Sequence, residues 1–166
     1  TSVTAEMAGA AAVIAAAAMK CVGGELQGPF DRGRGGPGGW IILGEPELRL
    51  GPRPDIVVPD LAGWRRERVP AGFIDDAAAT LAPDWCCEVL SPSTARHDRI
   101  TKRRIYLEEG VGEYWLVDAD ARTIERWRPG QDRPEIIDGI LRWEPASDVP
   151  PLDLDVGVMF AEALGE

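Results

Sequence analysis

The sequence predicts a mixed α+β fold with a central mixed β-sheet flanked by helices. Three observations favour this class: a helical N-terminal segment, a following run of segments with the apolar patterns of strands, and single helices that interrupt and end that run. Runs of strands broken by single helices are typical of α+β or mixed α/β folds rather than of a regularly alternating parallel sheet. A chain of 166 residues, 45% of them apolar, is long enough to bury a core of its own.

The N-terminal segment is predicted to form a helix over about residues 5–21, because alanine favours helix and Val13, Ile14 and Ala17 can bury one face. Residues 23–39 hold eight glycines and two prolines, which predicts a long loop. The loop resembles neither a phosphate-binding loop nor a dinucleotide fingerprint, since no strand precedes it and no Lys-Ser or Lys-Thr pair ends it. It is therefore a surface loop or a glycine-rich loop beside a site.

The core is predicted over residues 40–130, where the apolar patterns become those of strands. WCCEVL, at residues 85–90, gives the strongest signal for a buried strand. Ser93 or Thr94 then caps a helix that ends near Glu109, with Gly110 just beyond its end. The other predicted strands lie at residues 40–43, 47–50, 56–64 with a break at Pro59, 113–118 and 123–128, the last two forming a hairpin across residues 119–122.

Residues 131–166 are predicted to add a small hairpin and a short helix to that core. The hairpin joins residues 136–137 to residues 141–143 and turns at Asp138-Gly139. The helix covers residues 156–164. Because we find no internal repeat and no second core, residues 1–166 are predicted to form one domain.

The charge of the chain excludes a basic protein that binds nucleic acid over its whole surface. The chain has 18 Lys and Arg residues against 28 Asp and Glu residues, a net charge of −10. The acidity is concentrated in residues 131–166, whereas residues 96–104 hold five basic residues and one aspartate, and Arg65, Arg66 and Arg68 form a second basic cluster. A local basic strip suits a phosphate backbone, and a solvated helix face is the alternative.

The cysteines and the N-terminal segment predict a cytoplasmic protein without a membrane span. Three cysteines without the spacing of a disulfide framework, Cys21, Cys86 and Cys87, are typical of a reducing compartment. Residues 7–22 lack the basic start of a signal peptide and are too short and alanine-rich for a span. The single histidine, His97, excludes a zinc site with two imidazoles and argues against a Ser-His triad.

Glu88 is the first candidate for chemistry, because it stands within the predicted buried strand. Its buried charge would cost several kcal/mol without a cation, a metal ion or water nearby, and an exposed strand end is the alternative. Lys102 follows on the next helix, where a surface pair with Asp98 is the simpler interpretation. Asp60 adds a second carboxylate after Pro59. Two converging carboxylates can hold Mg²⁺, and a nearby lysine can orient water or stabilise phosphoryl charge.

Two stretches carry a resemblance to a known family: VPDLAGWRRE at residues 58–67 and APDWCCEVLSPSTARHDRITKRRIYLEEGVGEYWLVDADARTIERW at residues 82–127. Over about residues 40–127 the chain resembles the Uma-two family of bacterial restriction-endonuclease-like domains, which belongs to the PD-(D/E)xK nuclease superfamily. The resemblance implies a restriction-endonuclease-like core. It also makes Pro59-Asp60 the PD pair, Glu88 the next acid and Lys102 the catalytic lysine.

Two positions depart from the usual pattern of that superfamily. The lysine commonly stands two residues after the acid, where this chain has Leu90, so the resemblance implies a lysine relocated to the helix at Lys102. Asp55, which follows Arg53-Pro54, is a second candidate for the first acid. Whether the N-terminal segment supplies an auxiliary acid is left open.

Two functions from different classes follow. The first is an endonuclease dependent on Mg²⁺ or Mn²⁺ that acts on nucleic acid, DNA more readily than RNA. Asp60 and Glu88 would hold the metal ion, Lys102 would position the attacking water, and Arg99 or Arg103 would contact phosphates. The alternative is a catalytically inactive interaction module that retains the nuclease fold. We also expect a homodimer, because the apolar strands at residues 113–117 and 123–127 could leave an exposed edge.

Overall fold

The computed structural model describes residues 2–53, 55–90 and 98–166, and it describes side chains for residues 12–53, 55–90 and 100–166. The predicted helix cap at Ser93 or Thr94 and the predictions for His97 lie outside the described residues. The side chains of Asp98 and Arg99 lie outside them as well.

The described helices lie near the two ends of the chain and in the middle of the core. The α-helices are α1 (Ser2–Leu26), α2 (Arg103–Glu108) and α3 (Val156–Leu164). π-Helical turns follow α1 at Gln27–Asp31 and precede α2 at Asp98–Lys102, and 3₁₀ turns lie at Arg66–Arg68 and Phe73–Asp75. Gly110 follows α2 in the left-handed conformation that a residue after a helix end adopts, as its sequence position predicts. No helix in this described part of the chain is long and apolar enough to cross a membrane.

Six strands form the central sheet, in the order β1-β4-β5-β6-β7-β8. The strands among the described residues are β1 (Trp40–Gly44), β2 (Leu48–Leu50), β3 (Asp55–Val57), β4 (Leu61–Arg65), β5 (Trp85–Val89), β6 (Glu113–Asp118), β7 (Thr123–Trp127), β8 (Glu135–Ile137), β9 (Ile140–Trp143) and β10 (Leu152–Asp155). β5 and β6 are parallel, and the other pairs in the sheet are antiparallel. The predicted mixed α+β fold with a central mixed sheet is therefore confirmed.

Apolar side chains pack on both faces of this sheet, because successive residues of a strand point to opposite sides. On one face Trp85 and Trp115 pack in a cluster that includes Leu26 of α1 and Phe160 of α3. On the other face the cluster holds Trp64, Cys86, Tyr106, Tyr114, Leu116 and residues of the small β2–β3 sheet. The sheet is thus covered on both sides, which explains why WCCEVL is apolar at consecutive positions.

The helix at the N-terminus is longer than the sequence predicts. α1 continues through Gly23 and Gly24 to Leu26, and a π-helical turn then carries the chain to Asp31, so the loop predicted from residue 23 begins later. Two adjacent glycines weaken a helix by about 1 kcal/mol each. Val22, Leu26 and Phe30 are nonetheless buried in the core, and this burial outweighs the glycine cost.

Two predictions about strand pairing are wrong. β8 and β9 do not form the predicted hairpin: β8 pairs with β7, and β9 pairs with β10, a strand that the sequence analysis missed. β6 and β7 are interior strands with a partner on each side, so they leave no exposed edge. The edges of the sheet are β1 and the three-residue β8.

Gly112, which immediately precedes β6, is tightly packed and provides a test of this arrangement. A Cβ atom at this position would lie 2.7 Å from the carbonyl oxygen of Asp84. We expect Gly112→Ala to lower the free energy of unfolding by about 1–3 kcal/mol, because one of the two backbone segments must shift. Gly139→Ala is the control, since a Cβ there meets no atom within 4 Å. Urea unfolding of both variants checks this, and equal stability would contradict the close approach.

Candidate active site

The two predicted acids lie next to each other at one end of β4 and β5. Asp60 immediately precedes β4, and Glu88 is the penultimate residue of β5. The antiparallel register pairs Leu61 with Cys87, which brings Asp60 beside Glu88. Asp60 is also tied to β5 directly, because the backbone N–H of Val89 donates a hydrogen bond to its Oδ2 at 2.6 Å. The pairing of β4 with β5 therefore brings two carboxylates together.

The alternative first acid, Asp55, lies elsewhere. It begins β3, which pairs only with β2 in a separate two-stranded sheet among the described residues, and it is exposed. The geometry therefore favours Asp60 over Asp55 as the partner of Glu88.

Glu88 is buried and receives two hydrogen bonds on the same oxygen. Its carboxylate is part of a side chain that is only 7% exposed. Lys102 Nζ donates to Oε1 at 3.1 Å, and Tyr106 Oη donates to Oε1 at 2.8 Å. Of the cation, metal ion or water that the sequence predicts near a buried Glu88, the structure thus shows a cation, Lys102. Tyr106, which the sequence did not identify, assists it.

Burial dominates the acidity of Glu88. Loss of solvent raises its pKa to about 7, although the charge of Lys102 and the hydrogen bond from Tyr106 lower it. The negative charge of Asp60 raises the pKa further. The carboxyl group is therefore destabilised as an anion by both its burial and its acidic neighbour, and a further positive charge between the two acids would relieve both effects.

One helical segment supplies both donors. Lys102 ends the π-helical turn and Tyr106 lies in α2, four residues later, so both side chains occupy the same helix face. Tyr106 is fully buried against Tyr114, with ring centroids 5.2 Å apart. The spacing of Lys102 and Tyr106 was the available signal for the tyrosine, but the direction of that face cannot be read before the helix is packed.

A cavity of about 340 Å³ opens beside these groups. Asp60, Glu88 and Lys102 line it together with Glu45 and the side chains of Ala12, Ala15, Ala16, Met19, Val58 and Val89. The described side chains that α1 brings to the cavity are thus three alanines and a methionine, and none of these is an acid. Glu45 is an exposed residue in the left-handed conformation, and its N–H donates to the carbonyl oxygen of Asp60.

The two carboxylates suit a magnesium ion that keeps some of its waters, rather than a metal ion held entirely by protein ligands. Within the described residues no three His, Cys, Asp or Glu side chains are grouped closely enough to hold a metal. Asp60 and Glu88 nevertheless offer hard carboxylate oxygens on one cavity. Mg²⁺ is often held by one or two carboxylates while it keeps several waters, and two acids on an open cavity meet that requirement.

The basic residues around Lys102 point in different directions. Arg103 lies over the ring of Trp127, with its Cζ 4.3 Å from the ring centroid, and Arg104 pairs with Glu108 along α2. Adjacent helix residues project about 100° apart, so the strip that the sequence suggests does not form one described surface. The nucleic-acid contacts predicted for Arg103 and Arg99 stay predictions.

The second basic cluster lies away from the cavity. Arg65 ends β4, the strand that Asp60 precedes, and a rise of about 3.3 Å per residue places its backbone roughly 16 Å from that of Asp60. Acids also pair with the cluster: Arg66 with Asp31 and Arg68 with Asp84. These arginines therefore lie at the end of β4 that is far from Asp60 and the cavity.

The fold is thus a mixed α+β fold in which two acids and a lysine lie at one end of the central sheet. Residues 28–156 match the Uma2 family, which is described as "Putative restriction endonuclease", and the chain belongs to this family. A solved structure described as "a putative nuclease belonging to DUF820", from Anabaena variabilis, is similar with a TM-score of 0.71 and 23% identity, covering 90% of this chain and 82% of that one. At this identity the likeness concerns the fold. No curated protein matches the sequence.

The burial of Glu88 predicts a stability cost that depends on pH. A carboxyl group whose pKa rises on folding binds more protons in the folded state, so the contribution of Glu88 to stability should fall as the pH rises from about 4.5 to about 7. In metal-free buffer we expect Glu88→Gln to raise the free energy of unfolding at pH 8 by on the order of 1–3 kcal/mol and to have little effect near pH 4.5. Urea unfolding in the presence of EDTA measures both.

Glu108→Gln on α2 is the matched control for this measurement. The Glu108 side chain is 60% exposed, so its substitution should give no comparable difference between the two pH values. A Glu88→Gln variant that is less stable than wild type at pH 8 would show that the ion pair outweighs the burial cost.

Proposed function

We propose that this protein is a metal-dependent nuclease that hydrolyses phosphodiester bonds, with DNA as its preferred substrate. The observation that carries the proposal is the convergence of Asp60, Glu88 and Lys102 on one cavity in a member of a restriction-endonuclease family. We treat residues 1–166 as one nuclease-like domain. A reducing cytoplasm suits its three free cysteines.

In this proposal the two acids hold the metal ion and the lysine acts beside it. Asp60 and Glu88 would bind Mg²⁺ or Mn²⁺, which supplies positive charge to a phosphate oxygen and makes a bound water more acidic. Asp60 is held to β5 by the Val89 N–H, which fixes the orientation of its carboxylate. Lys102, which lines the cavity and contacts Glu88, would hold the attacking water or stabilise charge that develops on the phosphate.

Arg99 and Arg103 are the proposed contacts to the nucleic-acid backbone. Arg103 is partly exposed at its stacking position on Trp127, so its guanidinium can still meet a phosphate. The acidic residues 131–166 would restrict binding to the region around the cavity. We keep the homodimer as part of the proposal, now through an edge strand: β8 ends the sheet and carries Ile136, which is 62% exposed.

The second candidate is an inactive interaction module with the same fold. The observation that favours it is the alanine wall, because Ala12, Ala15 and Ala16 bring no polar group to the cavity from α1. A module of this kind would bind no divalent cation at Asp60 and Glu88, and metal binding therefore separates the two candidates.

Cleavage of mixed-sequence DNA with Mg²⁺ or Mn²⁺ tests the nuclease. We expect wild type to cut, Asp60→Asn and Glu88→Gln to lose turnover, and Lys102→Ala to cut at least roughly a hundredfold more slowly, as when one preorganised donor is removed. Lys20 is the other lysine of the chain and is exposed on α1, so Lys20→Ala is the matched control and should cut like wild type.

The outcomes separate the parts of the proposal. Equal cleavage by wild type and Lys102→Ala would remove the lysine from the mechanism. Wild-type protein that neither cuts DNA or RNA nor binds Mn²⁺ would favour the interaction module. Light scattering with a mass near 18 kDa at micromolar concentration would contradict the homodimer.

A further inference from the structure

Both hydrogen bonds that the described residues make to the Glu88 carboxylate reach Oε1. Lys102 and Tyr106 donate to it at 3.1 and 2.8 Å from one helix face. A carboxylate held at one oxygen by two donors cannot rotate without breaking both bonds. Oε1 is thereby committed to the protein.

We propose that Tyr106 is a positioning residue that keeps Glu88 a one-oxygen ligand, so that Oε2 alone faces a divalent cation. The proposal rests on the proposed function, since it concerns the metal ion that Asp60 and Glu88 would bind there. It assigns to Tyr106 no contact with substrate or metal.

The hydroxyl of Tyr106 is placed for this role rather than for filling space. Its ring packs against Tyr114, and a phenylalanine would fill the same volume. The hydroxyl of the neighbouring Tyr114 is also buried but has no hydrogen-bond partner among the described residues. Of these two buried tyrosines, only Tyr106 donates its hydroxyl hydrogen bond to Glu88.

Tyr106 suits the role better than Lys102 does. The Lys102 side chain is 23% exposed and has four rotatable bonds, whereas Tyr106 is fully buried with a rigid ring. The lysine is also positively charged, so a divalent cation beside Glu88 would repel it. A neutral phenol has no such conflict and can keep its bond to Oε1 while a cation binds.

This arrangement has a consequence for the choice of metal. Mg²⁺ and Mn²⁺ accept single carboxylate oxygens in octahedral geometry, whereas Ca²⁺ takes six to eight ligands and readily uses both oxygens of a carboxylate. If Oε1 is held by Tyr106, Glu88 favours the smaller ions. Release of Oε1 would weaken that preference.

Calorimetric titration with Mn²⁺ and with Ca²⁺ tests the proposal on wild type, Tyr106→Phe and Tyr114→Phe. We expect Tyr106→Phe to lose roughly 10- to 100-fold in Mn²⁺ affinity, as when a group that orients a ligand is removed, and less in Ca²⁺ affinity. The ratio of the two affinities should therefore fall. Tyr114→Phe should keep both affinities, because its hydroxyl has no described partner. A purely structural role for Tyr106 would leave the ratio unchanged in the folded protein.

Lys102→Gln provides a second measurement that holds even if Tyr106→Phe does not fold. Removing the lysine charge should strengthen binding of both cations while Tyr106 still holds Oε1, so the affinity ratio should stay at the wild-type value. A changed ratio in Lys102→Gln, or an unchanged ratio in a folded Tyr106→Phe, overturns the role of Tyr106 and leaves the nuclease proposal standing. Wild type that binds no Mn²⁺, or binds it as well after Glu88→Gln, overturns the metal site itself and this inference with it.

Discussion

The buried carboxylate of Glu88 is the constraint on which the candidate site depends. A charge removed from water in the middle of a β-sheet protein is tolerated only if other groups of the fold stabilise it. Lys102 and Tyr106 do this from one helical segment, so the segment that ends in α2 must pack against β5 in one particular rotation. Asp60 has the opposite effect, because a second negative charge beside Glu88 makes the ionised form of Glu88 less favourable. The Glu88 carboxylate is therefore held between groups that favour its charge and a neighbouring acid that opposes it.

The parallel pairing of β5 and β6 gives that helical segment its position. Parallel neighbours need a connection that crosses one face of the sheet, and here α2 is part of this connection. The same crossing places Tyr106 against Tyr114 of β6, so the packing of the core and the orientation of the Glu88 carboxylate depend on one contact surface. The close approach of Gly112 to the Asp84 carbonyl fixes where β6 begins relative to β5. Core packing and site geometry are thus coupled through the register of two strands.

The sheet face opposite to the one that packs against Tyr106 has a different role. α1 and α3 cover it with a cluster rich in tryptophan, and Trp143 of β9 contacts Phe30, Trp40, Trp85 and Trp115 within that cluster. Packing of this kind holds α1 against the sheet, and residues 12–19 of this helix form the alanine wall of the cavity. The described side chains of α1 at the cavity are thus apolar, and its polar lining comes from Glu45, Asp60, Glu88 and Lys102.

The sequence by itself determined the elements whose signal is local. The strands of the central sheet follow from alternating or continuous apolar runs, and the helix predicted over residues 156–164 has the bounds of α3. In the structure, Asp155 and Gly165 cap its two ends. The sequence also identified Glu88 as a charge that needs a partner. Only the tertiary structure decided the partner strand of β8, the continuation of α1 through Gly23-Gly24, and the contact of Tyr106 with Glu88. These depend on which distant segments meet, and burial between segments outweighs the local preference of any one residue.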